Sequence, residues 1–225
     1  MTDASHELRT PVSVVRTTAQ VTLGRDDRPK AEYREALTTL ADQAQRLSRM
    51  VDDMLTLAVA DAGGRPLQNG EFYLDELLDE CARSARTLGP PDQVAVNATW
   101  PDEIPFSGDE ELLRQMLLNL LSNAICHSTS TDSTSRVELV AETIGDNVRI
   151  VIDDTGPGIA ASDRERVFER FVRIDGVGFR AGGGLGLPMA RWVAEAHGGS
   201  VTAGAASSGG GRFIVVLPTP DAHRG

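Results

Sequence analysis

The first stretch with chemical potential is Ser5-His6-Glu7-Leu8-Arg9-Thr10-Pro11, where an imidazole and a carboxylate are chain neighbours. A histidine with its ordinary pKa of about 6.5 is mostly neutral at pH 7, so one ring nitrogen offers a lone pair and Glu7 can accept the other nitrogen's proton. Leu8, Val12, Val15 and Ala19 recur at helical spacing and define an apolar face. At about 100° per residue His6 falls about 160° from Leu8, toward solvent, where it is a candidate for chemical modification. Pro11 removes the N–H that would bond the Glu7 carbonyl, so a kink or bulge is expected just after His6. A lone exposed histidine is ordinarily just solvated, and the rest of the chain has to supply a reactant for it.

Three further stretches ask for more than packing. Asn119 and Asn123 are four apart in an otherwise apolar helical run, so their amides share one face. Asparagine is a poor helix former and costly to bury unpaired, and neutral oxygens and N–H donors suit a magnesium–phosphate complex. Taken alone, the pair fits solvated or core-bonded side chains equally well. Asp154-Thr155-Gly156-Pro157-Gly158 follows a strand pattern and can hold a carboxylate where it accepts from an exocyclic amine, the glycines letting backbone approach a ligand. Gly182-Gly183-Gly184-Leu185-Gly186-Leu187 opens a helix, where free N–H groups suit phosphate oxygens. Gly176-Val177-Gly178-Phe179-Arg180-Ala181 would fit a dinucleotide turn only behind a strand, and residues 167–171 read as helical instead.

Composition narrows the field. A net charge of −11 argues against a nucleic-acid surface. Lys30 is the only lysine, and it lies outside any G-x-x-x-x-G-K-[ST] pattern, which removes the P-loop enzymes. Cys81 and Cys126 are 45 positions apart, poor material for a metal site or disulfide framework and suited to a reducing compartment. Neither a signal peptide nor an apolar run of about 18 residues is present. With Met1 five residues before His6, the chain reads as a cytoplasmic piece of a longer protein whose sensory or membrane part precedes it.

The elements that must position these groups fall into two sets. A helix over 6–24 ends at Gly24, and a turn to Pro29 leads into a longer helix. There Tyr33, Leu37, Leu40, Ala44, Leu47, Val51, Met54 and Ala58 form a heptad-like seam. A single hairpin buries such stripes poorly, whereas two copies forming a four-helix bundle would cover them, so a homodimer is expected; packing against the chain's own second domain is the other reading. Residues 62–66 break the pattern, giving domains 1–62 and 63–225. Beyond the break come helices over 74–88, 110–126, 162–171 and 185–197. Strands are expected over 94–100, 136–143, 147–153, 199–205 and 212–217, with Gly145-Asp146 as a hairpin turn. The expected fold is an all-α hairpin followed by an α/β sandwich, one mixed sheet covered on a single face.

In order along the chain, these motifs resemble the sensor histidine kinases of two-component systems. Residues 5–11 look like their H box, Gln115 to Ala124 their N box, Asp154 to Gly158 their G1 box, Phe168-Glu169-Arg170-Phe171 their F box, and Gly182 to Leu187 their G2 box. The resemblance implies a dimerisation and histidine-phosphotransfer hairpin followed by a Bergerat-type ATP-binding domain. It makes His6 the phosphoacceptor, Glu7 the base, and Thr10 the residue that positions water for dephosphorylating a partner's aspartate. It assigns Asn119 to magnesium, Asn123 to the phosphates, His127 to the nucleotide's vicinity, and Asp154 to the adenine amine. Gly156 and Gly158 would shape the base pocket. Gly182, Gly184 and Gly186 would form the hinge of a lid, with Leu185 also at the nucleotide and Arg173 reaching the phosphates. His197 looks like a structural turn residue. ATP and Mg2+ are the implied cofactors, and a separate response-regulator receiver domain the implied partner.

One departure stands out: three residues after Asn123 the family commonly carries lysine, and here Cys126 stands. An arginine must then compensate, or nucleotide binding weakens. This motivates the alternative of a dimeric scaffold or phosphatase with weak kinase activity. A hydrolytic ATPase of the same nucleotide-binding superfamily fits less well, because such enzymes carry a water-activating glutamate where Asn119 stands.

Overall fold

In the computed structural model, residues 2–25, 27–61, 63, 66–88, 94–101, 103–128, 135–172 and 184–219 are described, with side chains from residue 8 onward. The chain divides into two compact units, Met1–Val59 and Ala60–Gly225.

The first unit consists of helices α1 (Thr2–Leu23) and α2 (Lys30–Asp61), the latter running two residues into the second unit. α1 continues as α-helix through Pro11, so the expected interruption after His6 is absent. The turn between the helices is held by side chains. The Arg28 guanidinium donates to the Val21 carbonyl at 2.7 Å and to Glu32 at 2.9 Å, closing the last turn of one helix and the first turn of the next. The apolar seams differ from the simplest expectation. In α1 Pro11 is buried and Val12 is 51% exposed. In α2 the less exposed positions run through Tyr33, Ala36, Leu40, Gln43, Leu47, Met50, Met54 and Leu57, a 3–4 alternation that interleaves with the predicted seam. Leu37, Val51, Leu55 and Val59 remain on the surface. At 100° per residue Leu37 and Leu55 coincide and Val51 and Val59 fall within about 40° of them, so the exposed groups form a second stripe.

The second unit is an α/β sandwich. Strands β2 (Val94–Thr99), β4 (Ser135–Ile144), β5 (Asn147–Asp154), β6 (Ser200–Ala205) and β7 (Gly211–Pro218) form a mixed sheet of order β2-β4-β5-β7-β6. β2 runs parallel to β4 and every other neighbouring pair is antiparallel. Burial alternates along β4 and β7, as it must when one face meets the core. Helices α3 (Leu74–Leu88), α4 (Glu110–Ser128) and α5 (Gly186–Ala196) supply the other layer. α3 buries Leu74, Leu77, Leu78, Cys81, Ala82 and Ala85, one face at 3–4 spacing; of its acidic first turn, Glu76 is exposed and Asp75 accepts the Ile104 N–H at 2.7 Å. α4 is apolar around most of its circumference because the sheet, α3 and α5 all pack on it.

Two features of this second unit differ from the sequence expectation. Residues 161–163 and 166–168 form two short 3-10 turns instead of one helix. The backbone turns extended at Glu169 (φ −76°, ψ 144°) and left-handed at Phe171 (φ +62°), which ends helical winding there; Val167 and Phe168 are both buried, and Phe168 meets Phe213 edge-on at 6.3 Å. A small antiparallel pair, β1 (Gly70–Tyr73) and β3 (Pro105–Gly108), was also not anticipated.

Candidate nucleotide site

Asp154 ends β5 and is 4% exposed. One carboxylate oxygen accepts N–H bonds from Gly156 at 2.7 Å and Gly211 at 3.1 Å. Burial pushes the Asp154 carboxyl upward, and the two backbone donors and the nearby His127 pull it partly back. The second oxygen, Oδ2, receives no hydrogen bond among the described residues and faces the Gly211 backbone, where an added Cβ would stand 2.5 Å away. A carboxylate fixed through one oxygen and open at the other can accept from an amine.

The turn that holds Asp154 comes from far along the chain. A Cβ on Gly210 would overlap the Asp154 carbonyl oxygen, and the Ser208 hydroxyl donates to that carbonyl at 3.4 Å. Gly158 adopts φ +78°, and a Cβ there would meet the Gly209 carbonyl at 2.8 Å. Ser208, Gly210 and Gly211 thus belong to the site, although the sequence marked them only as a turn between strands.

Asn119, Asn123 and His127 stand on α4 at i, i+4 and i+8, all half-buried and each followed by a buried residue. They span about 12 Å at 1.5 Å per residue. His127 lies at the Asp154 end, where its backbone carbonyl would be 2.5 Å from a Cβ on Gly156. Burial pulls the His127 ring below the usual histidine range and the Asp154 charge opposes that, so the ring is neutral at pH 7. Asn119 lies at the other end, where a Cβ on Gly186, the first residue of α5, would stand 3.4 Å from its carboxamide carbon. The Asn119 amide nitrogen is buried and has no hydrogen-bond partner among the described residues. That orphan marks where a ligand oxygen fits.

Gly184 and Phe171 form the stems on either side of the predicted lid. The Phe171 N–H donates to the Gly184 carbonyl at 2.8 Å. Gly184 has φ +66° and no room for a Cβ, which would meet the Phe171 backbone at 2.7 Å, so only glycine fits. Leu185 is buried and precedes the first turn of α5. Arg173 and Gly182 lie outside the described residues. His6 and Glu7 lie on α1 with side chains outside the described set, and Thr10 is exposed on the same helix. Cys126 is half-buried on α4.

Two family models match the chain. Residues 108–221 match the histidine kinase-, DNA gyrase B-, and HSP90-like ATPases, and residues 1–63 match the His Kinase A (phospho-acceptor) domain. The chain belongs to the sensor histidine kinase family. It is 37% identical over 219 residues to the probable sensor histidine kinase TcrY of Mycobacterium tuberculosis, covering 96% of this chain and 44% of TcrY. The chain spans about half the length of the curated relatives it matches. The structure of the Acinetobacter baumannii histidine kinase AdeS superposes with a TM-score of 0.73 at 21% identity, over 96% of this chain and 98% of that one. That of full-length ShkA in complex with AMPPNP gives 0.69 at 28% identity, over 97% of this chain and 45% of ShkA. The histidine kinase fold is thus an α-helical segment followed by an α/β domain with a mixed sheet. None of the helices among the described residues is long and apolar enough to cross a membrane.

Proposed function

We propose that the chain is the catalytic core of a protein histidine kinase that uses ATP to phosphorylate His6 and then passes the phosphoryl group to an aspartate of a separate response regulator. The observation that carries this reading is the buried Asn119 amide nitrogen, unpartnered among the described residues, at one end of a polar stripe whose other end meets the open Asp154 carboxylate. A nucleotide has complementary groups at that separation: an exocyclic amine for Asp154, and phosphate oxygens for Asn119, Asn123 and the first turn of α5. The AMPPNP complex of ShkA supports the same assignment.

In this reading residues 1–62 form the dimerisation and phosphotransfer hairpin and residues 63–225 the ATP-binding domain. The exposed Leu37–Val51–Leu55–Val59 stripe supports a homodimer, since a second copy would cover it. The lone pair of a neutral His6 ring nitrogen attacks the γ-phosphorus. The N–P bond forms as the bond to the β,γ-bridging oxygen breaks, ADP leaves with that electron pair, and Glu7 takes the proton from the other ring nitrogen. Magnesium, for which Asn119 is the proposed ligand, supplies charge screening of the triphosphate. Asn123 and Arg173 reach the phosphates, with Gly182, Gly184 and Gly186 as the hinge of the lid and Leu185 beside them at the nucleotide. Gly156, Gly158 and His127 shape the base end. Thr10 orients water for the reverse task, dephosphorylating the regulator. The full-length protein is anchored in the cell membrane through a sensor part N-terminal to this segment.

A second reading, a scaffold or phosphatase with weak kinase activity, is favoured by Cys126 at the place of the family's lysine. Incubation with radiolabelled ATP and magnesium separates the two. The kinase reading expects acid-labile, base-stable label that disappears in His6→Ala. Absence of label together with Thr10-dependent dephosphorylation of a phospho-aspartate receiver favours the phosphatase. Normal labelling of Asn119→Ala would remove Asn119 as the magnesium ligand.

A further inference from the structure

His197 lies at the opposite end of α5 from Gly186 and takes no part in the nucleotide site described above. Its two ring nitrogens both have partners. Nε2 stands 3.0 Å from the backbone nitrogen of Asp109, and Nδ1 stands 2.7 Å from the Val193 carbonyl. An amide N–H can only donate and a carbonyl can only accept, so Nε2 carries the lone pair and Nδ1 the proton. Asp109 is itself 2% exposed and committed on every side. Its Oδ1 accepts the Leu112 N–H at 3.2 Å, capping α4, and its Oδ2 accepts the Gln68 N–H at 3.0 Å. The ring sits against Gly108, where a Cβ would come within 2.9 Å of its Cδ2.

This contact and the close approach of Gly186 to Asn119 lie at opposite ends of α5, along the first half of α4. Asn119 is ten positions past Asp109 and His197 eleven past Gly186, about 15 Å and about 16 Å along the respective helices. Two antiparallel helices hydrogen-bonded at one end and closely packed at the other keep their register. Removing one tie lets α5 slide or tilt on α4, and the effect is felt at the other. We infer that His197 is a positioning residue for nucleotide binding, holding α5 on α4 so that Gly186 meets the Asn119 carboxamide. The inference rests on the reading of that site as a nucleotide site.

The test uses the whole chain, a fluorescent ADP, and the variants His197→Leu and His197→Gln. Leucine keeps the bulk and offers no acceptor to Asp109; glutamine can place an oxygen near the Nε2 position. His197→Leu is expected to raise the ADP Kd about tenfold, and His197→Gln to recover most of that loss. Val148→Ala, a core change in the sheet away from the site, should lower Tm without moving Kd. A Val148→Ala variant that weakens ADP as much as His197→Leu does would overturn the inference, because general destabilisation would then account for the effect. An ADP Kd for His197→Leu within twofold of wild type overturns the inference alone, whereas a wild type that does not bind ADP overturns the nucleotide reading with it. Should His197→Leu not fold, the His197→Gln titration decides with the wild-type ring. Long-range proton–nitrogen correlation must show the Nδ1–H tautomer, and the Nε2–H tautomer, or a Gln variant that binds no better than one-tenth of wild type, overturns the proposal.

Discussion

The two units solve the problem of burial differently. In the second, Leu74, Leu78, Leu113, Met116, Leu117, Leu120 and Leu121 are wholly removed from solvent, and the apolar layer between sheet and helices closes within one chain. In the first, Leu23 is 80% exposed, Leu37 65% and Leu55 60%, on helices whose polar faces gain little by showing leucine to water. A single copy is therefore a finished object from about residue 60 onward and an unfinished one before it. The difference locates where a second copy would contribute stability.

Charging the exposed stripe gives the largest test of this contrast. Leu37→Glu with Leu55→Glu removes four leucines per dimer, each worth about 1.5–3 kcal/mol when fully buried. Sedimentation should show monomers, while the second unit keeps its thermal transition; a variant that stays dimeric breaks the comparison. Next comes Leu120→Ala in α4. Truncation of a fully buried leucine costs roughly 2–5 kcal/mol, and calorimetry should show this in the second unit's transition only.

Asp154→Asn sharpens the comparison inside the finished unit. Losing the charged acceptor for an amine is worth about 1.5–3 kcal/mol, so the Kd for ADP should rise by roughly 10–150-fold. Stability should move the other way. Burial raises the folded carboxyl pKa above its unfolded value, so the ionised group opposes folding once pH exceeds the unfolded pKa. Asparagine keeps the acceptor for Gly156 and Gly211 without the buried charge, and the ligand-free Tm at pH 7 should hold or rise. The smallest effect is the pH profile of wild-type binding. Affinity should fall as pH drops through the raised Asp154 pKa, at most tenfold per unit, and the Asp154→Asn titration should be flat there.

Periodicity made α3 and α5 legible to within about one residue of their ends, because one side of each helix meets the core and the other meets water. It could not choose between interleaved stripes on α2. Both Leu37 and Ala36 fit a 3–4 alternation, and which one turns inward depends on packing that no single-helix pattern contains. The strand pair β1–β3 escaped notice because each strand has four residues and they include Gly70, Pro105 and Gly108. At the site, Asn119, Asp154 and the glycines of residues 156–158 were visible as polar or backbone-permissive residues in unusual places. Ser208, Gly210 and Gly211 were not, because nothing local to a Ser/Gly turn reveals that it folds against a carboxylate more than fifty residues upstream. His197 was marked as structural, yet its link to Asp109 joins residues 88 apart and required the fold.

The contrast between the two cysteines has a practical consequence. Burial pushes the Cys81 thiol up to about 12, so almost none of it is thiolate near neutral pH. Cys126 is the more accessible thiol and sits three residues beyond Asn123 on the same helix. A maleimide or iodoacetamide reagent should therefore label the unaltered chain at one place first. A fluorophore installed there would report nucleotide arrival without any substitution of the natural sequence.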